Sequence, residues 1–360
     1  MNTLFQQTGN TLHGKVEDTI TSPIATSKPS ISYIPSLTPL RGIAAIIVLF
    51  YHFDMFISPL APGDNFLIDK LYLMVDLFFV LSGFIMFHVY GTWFANTINK
   101  RDFLKYMRAR FARLYPLHIF TFLCLFGVML VFRAKVKDVP GIFNVVLDNS
   151  AIPYVLTLTQ AWGAHIEATW NTASWSISVE WFLYLLMPFM VLLVAKYKQK
   201  ALWGLGMLSM GGVFLLMYVL EPAWIAEAAI GRGMDAETLA KLPQNSINVI
   251  TGPALLRGFC GFTFGMIAYE MYHTNRFRAF LQPSFWFPLI WVILGICWYQ
   301  DYLPDAFALV LFALLILHTA YNEGLVKKAL NNRVLTYLGC LLYTSPSPRD
   351  LSTSRMPSSA

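Results

Sequence analysis

Residues 71–90 read LYLMVDLFFVLSGFIMFHVY, twenty positions with one acid, Asp76, and no Lys or Arg. A helix of that length rises about 30 Å, the thickness of a bilayer's hydrocarbon core, so the stretch is predicted to span a membrane. The rest of the chain agrees. Of its 360 residues 56% are hydrophobic and 13% charged, and the mean hydropathy is +0.54, which leaves too little charge to cover a soluble surface. Further apolar runs lie at 42–59, 114–132, 175–195, 202–220, 249–271, 284–300 and 303–321, and a ninth begins near Val334 and is cut short. The predicted fold is all-α, a polytopic transmembrane helical bundle.

Residues 1–36 are polar, rich in Ser and Thr, and show no signal-peptide pattern, which predicts a flexible cytoplasmic tail. The transmembrane domain is expected over 37–340. The string LLYTSPSPRD at 341–350 resembles translated adaptor sequence, so residues 341–360 are read as a non-native tail. Cys124, Cys260, Cys297 and Cys340 all fall in apolar segments without metal-like spacing and are expected as thiols. The net charge of +6 points to basic loops facing anionic lipid rather than to nucleic acid. With the N-terminus cytoplasmic, the loops 91–113, 196–201, 272–283 and 322–333 hold fourteen Lys or Arg against six outside, the asymmetry of the positive-inside rule. The stretches 133–173 and 221–248 then form the longer outer segments.

A charge at the centre of a spanning helix costs about 2.5–3.5 kcal/mol on insertion scales, so each one calls for a task. Arg41 and His52 lie in LRGIAAIIVLFYHF, eleven positions apart, which puts them within about 20° on one helix face and about 16 Å apart along it. Asp76 and Glu180 each enter their helices from the side that His52 approaches, so three helices carry ionisable groups to comparable depths. An imidazole beside a carboxylate can act as a general base, the acid fixing its tautomer; a neutral, hydrogen-bonded His and inter-helix polar contacts are the plainer readings. Arg110 and Arg113, three apart in RARFARLYP, share a face and suit phosphate, or else anchor the inner boundary. Trp175, Ser176 and Ser178 precede Glu180 as substrate-binding candidates; Trp170, Trp175 and Trp181 equally suit a membrane interface.

Taken together, LRGIAAIIVLFYH, VDLFFVLSGF, RARFARLYP and WNTASWSISVEWFLYLLMP resemble the acyltransferase 3 family of membrane-bound acyltransferases. The basic residue and His of its first helix correspond to Arg41 and His52, its Arg-x-x-Arg pair to Arg110 and Arg113, and its W-S-x-S-x-E segment to Trp175–Glu180. The resemblance covers about residues 36–340 and is strongest in the first half. It implies a bundle of about ten helices that takes an acyl group, typically acetyl, from cytoplasmic acyl-CoA and delivers it to a hydroxyl of a sugar or glycan across a bacterial inner membrane. On that implication Arg41, Arg110 and Arg113 bind the CoA phosphates, and His52, with Asp76 and Glu180, serves the reaction as general base or as the group acylated. The closing helix of the family is expected to begin at Leu338–Tyr343 and be truncated, and an esterase-like domain behind it is not expected.

A proton-coupled transporter of a small anion is the alternative, since it also buries His, Asp and Glu; no repeat in two halves supports it. Metal binding by His52, Asp76 and Glu180 is a weak reading, because three isolated ligands lack any local metal motif, and no metal is predicted; a non-catalytic scaffold ranks third, since it would not need these groups at matching depths. His118, past the Arg pair, is a minor candidate for CoA; it, His88, His273 and His318 are otherwise expected at helix-end interfaces.

Overall fold

The computed structural model describes residues 34–56, 66–135, 147–231, 246–300 and 304–341, and among these there is no strand. The expected tails lie almost wholly outside the described residues. Among the described residues every apolar run carries a helix: α1 (Leu37–Phe56), α2 (Met74–Tyr90), α3 (Lys100–Lys135), α4 (Trp175–Tyr197), α5 (Gln199–Leu215), α6 (Glu221–Gly231), α7 (Ala254–His273), α8 (Trp286–Gln300), α9 (Ala306–Tyr321) and α10 (Arg333–Leu341). Five segments, Leu37–Met55, Lys70–Tyr90, Lys100–Lys135, Thr172–Tyr197 and Gln199–Ile230, are long and apolar enough to cross a membrane. The protein is an all-α membrane protein.

Two expected loops are partly helical. The basic loop 91–113 ends at Asn99, and α3 runs 36 residues, about 54 Å, so its first turns with their Lys and Arg extend past the span of a bilayer core. The outer stretch from 221 opens with α6, which follows α5 through a π-helical turn, Leu216–Leu220. Pro222 supplies no N–H and its ring crowds the carbonyl four residues earlier, at Tyr218; the wider turn there accommodates both.

Burial ranks the helices. In α2 and the turn before it, 72% of the apolar window is enclosed, against 17% in α3, whose Leu117, Phe120, Leu123, Val128 and Val131 face outward where lipid would lie. Helix α2 seats on α7 through glycine: a Cβ on Gly83 would fall 1.9 Å from the Phe262 carbonyl oxygen, and one on Gly265 2.0 Å from that of Val80. Between helices in lipid, where no hydrophobic force acts, such close backbone approach is what favours association. It also brings Arg257 of α7 against Asp76 of α2. The same device joins α10 to α1, where a Cβ on Gly339 would lie 2.1 Å from the Thr38 carbonyl.

Two histidines expected at interfaces are instead fully buried latches. His118 Nε2 lies 2.8 Å from the Val155 carbonyl and His318 Nδ1 2.6 Å from that of Leu281, each tying a connecting segment to a spanning helix. Cys124, Cys260 and Cys297 are free thiols.

Candidate active site

A cavity of about 300 Å³ opens beside the end of α1 that carries His52, with Tyr72, Trp175, Glu221, Trp224 and Asn248 among its lining residues. Helix α6 contributes through its period: Glu221, Trp224, Ile225 and Ala228, spaced i, i+3, i+4 and i+7, share one face. His52 Nδ1 lies 2.8 Å from the Val48 carbonyl one turn earlier. A carbonyl only accepts, so Nδ1 carries the hydrogen and Nε2 is the basic nitrogen of the ring. The backbone of α1 thus sets the tautomer that was expected from a carboxylate.

Asp76, fully buried, makes a bidentate pair with Arg257: Nε to Oδ1 at 2.9 Å and Nη2 to Oδ2 at 2.7 Å. Neither Asp76 nor Glu180 hydrogen-bonds to His52. The Arg257 guanidinium lies 5.0 Å from the Trp175 ring centre and 5.4 Å from that of Tyr72, so the ion pair backs the cavity wall. A second buried acid, Asp305, accepts from the Tyr72 hydroxyl, from Lys70 Nζ at 3.1 Å and from the Ile247 N–H at 3.2 Å, tying three segments together at the same wall. Glu221 accepts from Ser246 Oγ at 2.8 Å.

Glu180 belongs elsewhere. Its Oε1 accepts from Ser82 Oγ at 3.1 Å and from the Tyr184 hydroxyl. Ser82 is six residues beyond Asp76 on α2, about 9 Å along the axis, so the two acids sit at different depths. Trp175, at the start of α4, is level with Asp76 instead and packs edge-on to Phe79. Arg110 joins Glu180's side of the bundle: its Nη2 donates to the Tyr90 hydroxyl at 2.8 Å, and its guanidinium lies 5.1 Å and 5.7 Å from the Tyr90 and Tyr184 ring centres. Its buried Nε–H meets no acceptor among the described residues. Arg113 is half-buried on the same helix, and Arg41 is buried near the start of α1.

Of the serines, Ser178 donates to the Leu158 carbonyl at 2.8 Å and accepts from the Ala161 N–H at 3.2 Å, holding the loop before α4. Ser176 is half-buried and does not line the cavity. Trp170 is buried away from it and donates to the Asp148 carbonyl at 2.8 Å.

The model of the acyltransferase domain named for acyltransferase 3 matches residues 34–344, which is most of the chain. The chain belongs to the acyltransferase 3 family. Among curated relatives of this acyltransferase 3 chain, it is 36% identical over 181 residues to acyltransferase MdmB of Streptomyces mycarofaciens, covering 49% of this chain and 43% of that one. It is 40% identical over 98 residues to protein 2 in the picA locus of Rhizobium radiobacter, covering 25% and 46%. To O-acetyltransferase OatA of Staphylococcus aureus it is 25% identical over 201 residues, covering 52% and 30%. The matches thus span less than half the length of each relative. No solved structure matches the chain.

Arg257, Tyr72, Asn248, Glu221 and Asp305 were not singled out in the sequence. The insertion cost that flagged Asp76 applies equally to Arg257, which lies within the apolar run 249–271. Tyr72 and Asn248 are ordinary residue types and give no signal of their own.

Proposed function

We propose that the protein is an integral membrane O-acyltransferase that moves an acyl group, acetyl in the simplest case, from acyl-CoA to a hydroxyl of a sugar or glycan. The observation that carries this reading is His52: it lines the cavity, and with its Nδ1–H on the Val48 carbonyl the nitrogen assigned as base is Nε2. The acceptor hydroxyl gives its proton to Nε2 while its oxygen attacks the thioester carbonyl. The C–S bond breaks, and the imidazolium returns the proton to the departing sulfur to give free CoA. Holding both reactants in line within the cavity contributes more than the proton transfer itself.

Trp175 and Trp224 offer faces for a sugar ring. Asp76 acts from behind the wall through Arg257, and Glu180 through Tyr184, so His52 is the group assigned to touch the reacting atoms. Ser178 supports the loop that frames Trp175. The donor phosphates are assigned to Arg41, Arg110 and Arg113; the Arg110 Nε–H without an acceptor is the available donor there, and Arg41 lies about 16 Å along α1 from His52. The setting is a bacterial cytoplasmic membrane with the N-terminus cytoplasmic, supported by the fourteen to six distribution of Lys and Arg.

The test is mass spectrometry of O-acyl esters on surface glycans from cells carrying the gene, its His52→Ala variant or an empty vector. Esters formed by the unmutated gene alone are expected, with a loss of about 10²-fold or more in the variant. Equal ester content in the variant, at equal protein level in the membrane, would overturn the assignment of His52; none in any of the three would overturn the activity.

A further inference from the structure

We infer that Arg257 is a positioning residue of the transfer reaction, acting on the reacting groups through the cavity wall that it holds. The inference rests on the acyltransferase reading above. A guanidinium has five N–H groups in one plane. Here Nε and one Nη2 hydrogen hold Asp76, the other Nη2 hydrogen reaches the Tyr72 carbonyl at 3.4 Å, and Nη1 reaches the Val249 carbonyl at 3.2 Å and Asn248 Oδ1 at 3.5 Å. The guanidinium carbon also lies 5.4 Å from the Tyr72 ring centre and 5.0 Å from that of Trp175. One side chain therefore sets α2, the turn before it, the 246–250 segment and the first residue of α4 against one another.

Tyr72, Trp175 and Asn248 all line the cavity that His52 lines, whereas Arg257 does not. Their shared dependence on Arg257 is more than the ion pair needs for its own neutrality, which Asp76 alone supplies. An Arg to Lys exchange keeps the charge and one bond to Asp76. It loses the planar fork and the reach to the 246–250 segment. The wall then shifts while the cavity stays lined by the same side chains, and a displacement of about 1 Å at a reacting group lowers turnover by about 10²-fold.

The experiment compares the full chain with Arg257→Lys and with the double variant Asp76→Asn/Arg257→Gln, which removes both charges and avoids an uncompensated one. Membranes from expressing cells are given radiolabelled acetyl-CoA, ester formation on envelope glycan is followed, and thermal unfolding is measured on the solubilised protein. Turnover per folded protein is expected to fall about 10²-fold in both variants. The unfolding midpoint of the double variant and the KM for acetyl-CoA in both should stay as in the unmutated protein. Turnover kept in either variant at an unchanged midpoint would overturn the inference and leave Arg257 as a structural partner of Asp76. A KM for acetyl-CoA that rises in step with the lost turnover would overturn it too, by moving Arg257 to the donor side. No ester from the unmutated chain would overturn the activity itself, and the inference with it.

Discussion

Two buried guanidiniums are neutralised in opposite ways. Arg257, beside the cavity, meets a carboxylate in bidentate geometry, and its N–H groups end on Asp76, Tyr72, Asn248 and Val249. Arg110, between α2, α3 and α4, bonds no acid. It spreads its charge over the rings of Tyr90 and Tyr184, donates to one hydroxyl, and keeps a donor without an acceptor. In a medium of low dielectric the first arrangement is stiff, because any displacement separates opposite charges. The second has slack, since ring faces tolerate sliding and a hydroxyl rotates. A stiff wall suits the place where reactants must be aligned, and a looser cage with a spare donor suits the place where an anionic group arrives.

The sharpest way to break this contrast is to remove half of the stiff pair. Asp76→Ala leaves the Arg257 charge buried and uncompensated, and is expected to cost about 3–5 kcal/mol, seen as a large fall in the thermal unfolding midpoint of the solubilised protein. A midpoint that barely moves would mean that Arg257 finds another counter-ion and that the wall is adaptable after all. Next in size is Gly265→Ala. Its Cβ would press on the Val80 carbonyl and force α7 away from α2, at about 1–3 kcal/mol, and so loosen Arg257 from Asp76 without touching either. Both changes act on the cavity wall, and acetyl-CoA binding, measured separately, should be spared by both.

The sequence made the helices plain and the contacts between them much less so. Among the described residues each of the eight apolar runs and the start of a ninth carries a helix, because a bilayer demands a length and polarity that composition displays. The misreadings fall at the ends of apolar runs: Lys100–Arg113 of α3 is rich in charge, and α6 opens on Glu221 and Pro222, so both look like loops to a hydropathy count. For the site, spacing on one helix was informative, as Arg41 and His52 on α1 show. Depth across helices was not, since Asp76 lies in the first turn of α2 while Glu180 lies five residues into α4. Which acid meets which base depends on the glycine seam between α2 and α7, and close packing of that kind is settled by the assembled bundle.

The smallest expected effect tests that difference in depth most directly. Glu180→Gln keeps the size of the side chain and an oxygen able to accept from Ser82 and Tyr184, and removes only the charge. With the carboxylate half-buried and both partners neutral hydroxyls, the cost in stability is about 0.5–1.5 kcal/mol. If Glu180 exchanged protons with the reactants, the same change would remove general acid–base catalysis and lower transfer by about 10²–10⁴-fold. Placed about 9 Å along α2 from the level of Asp76, and bonded to Tyr184 rather than to His52, it should instead leave transfer within about tenfold of the unmutated chain. Ester formation measured beside the unfolding midpoint separates the two outcomes. A catalytic collapse at an unchanged midpoint would bring Glu180 into contact with the reaction and erase the division between a reacting wall and a supporting seam.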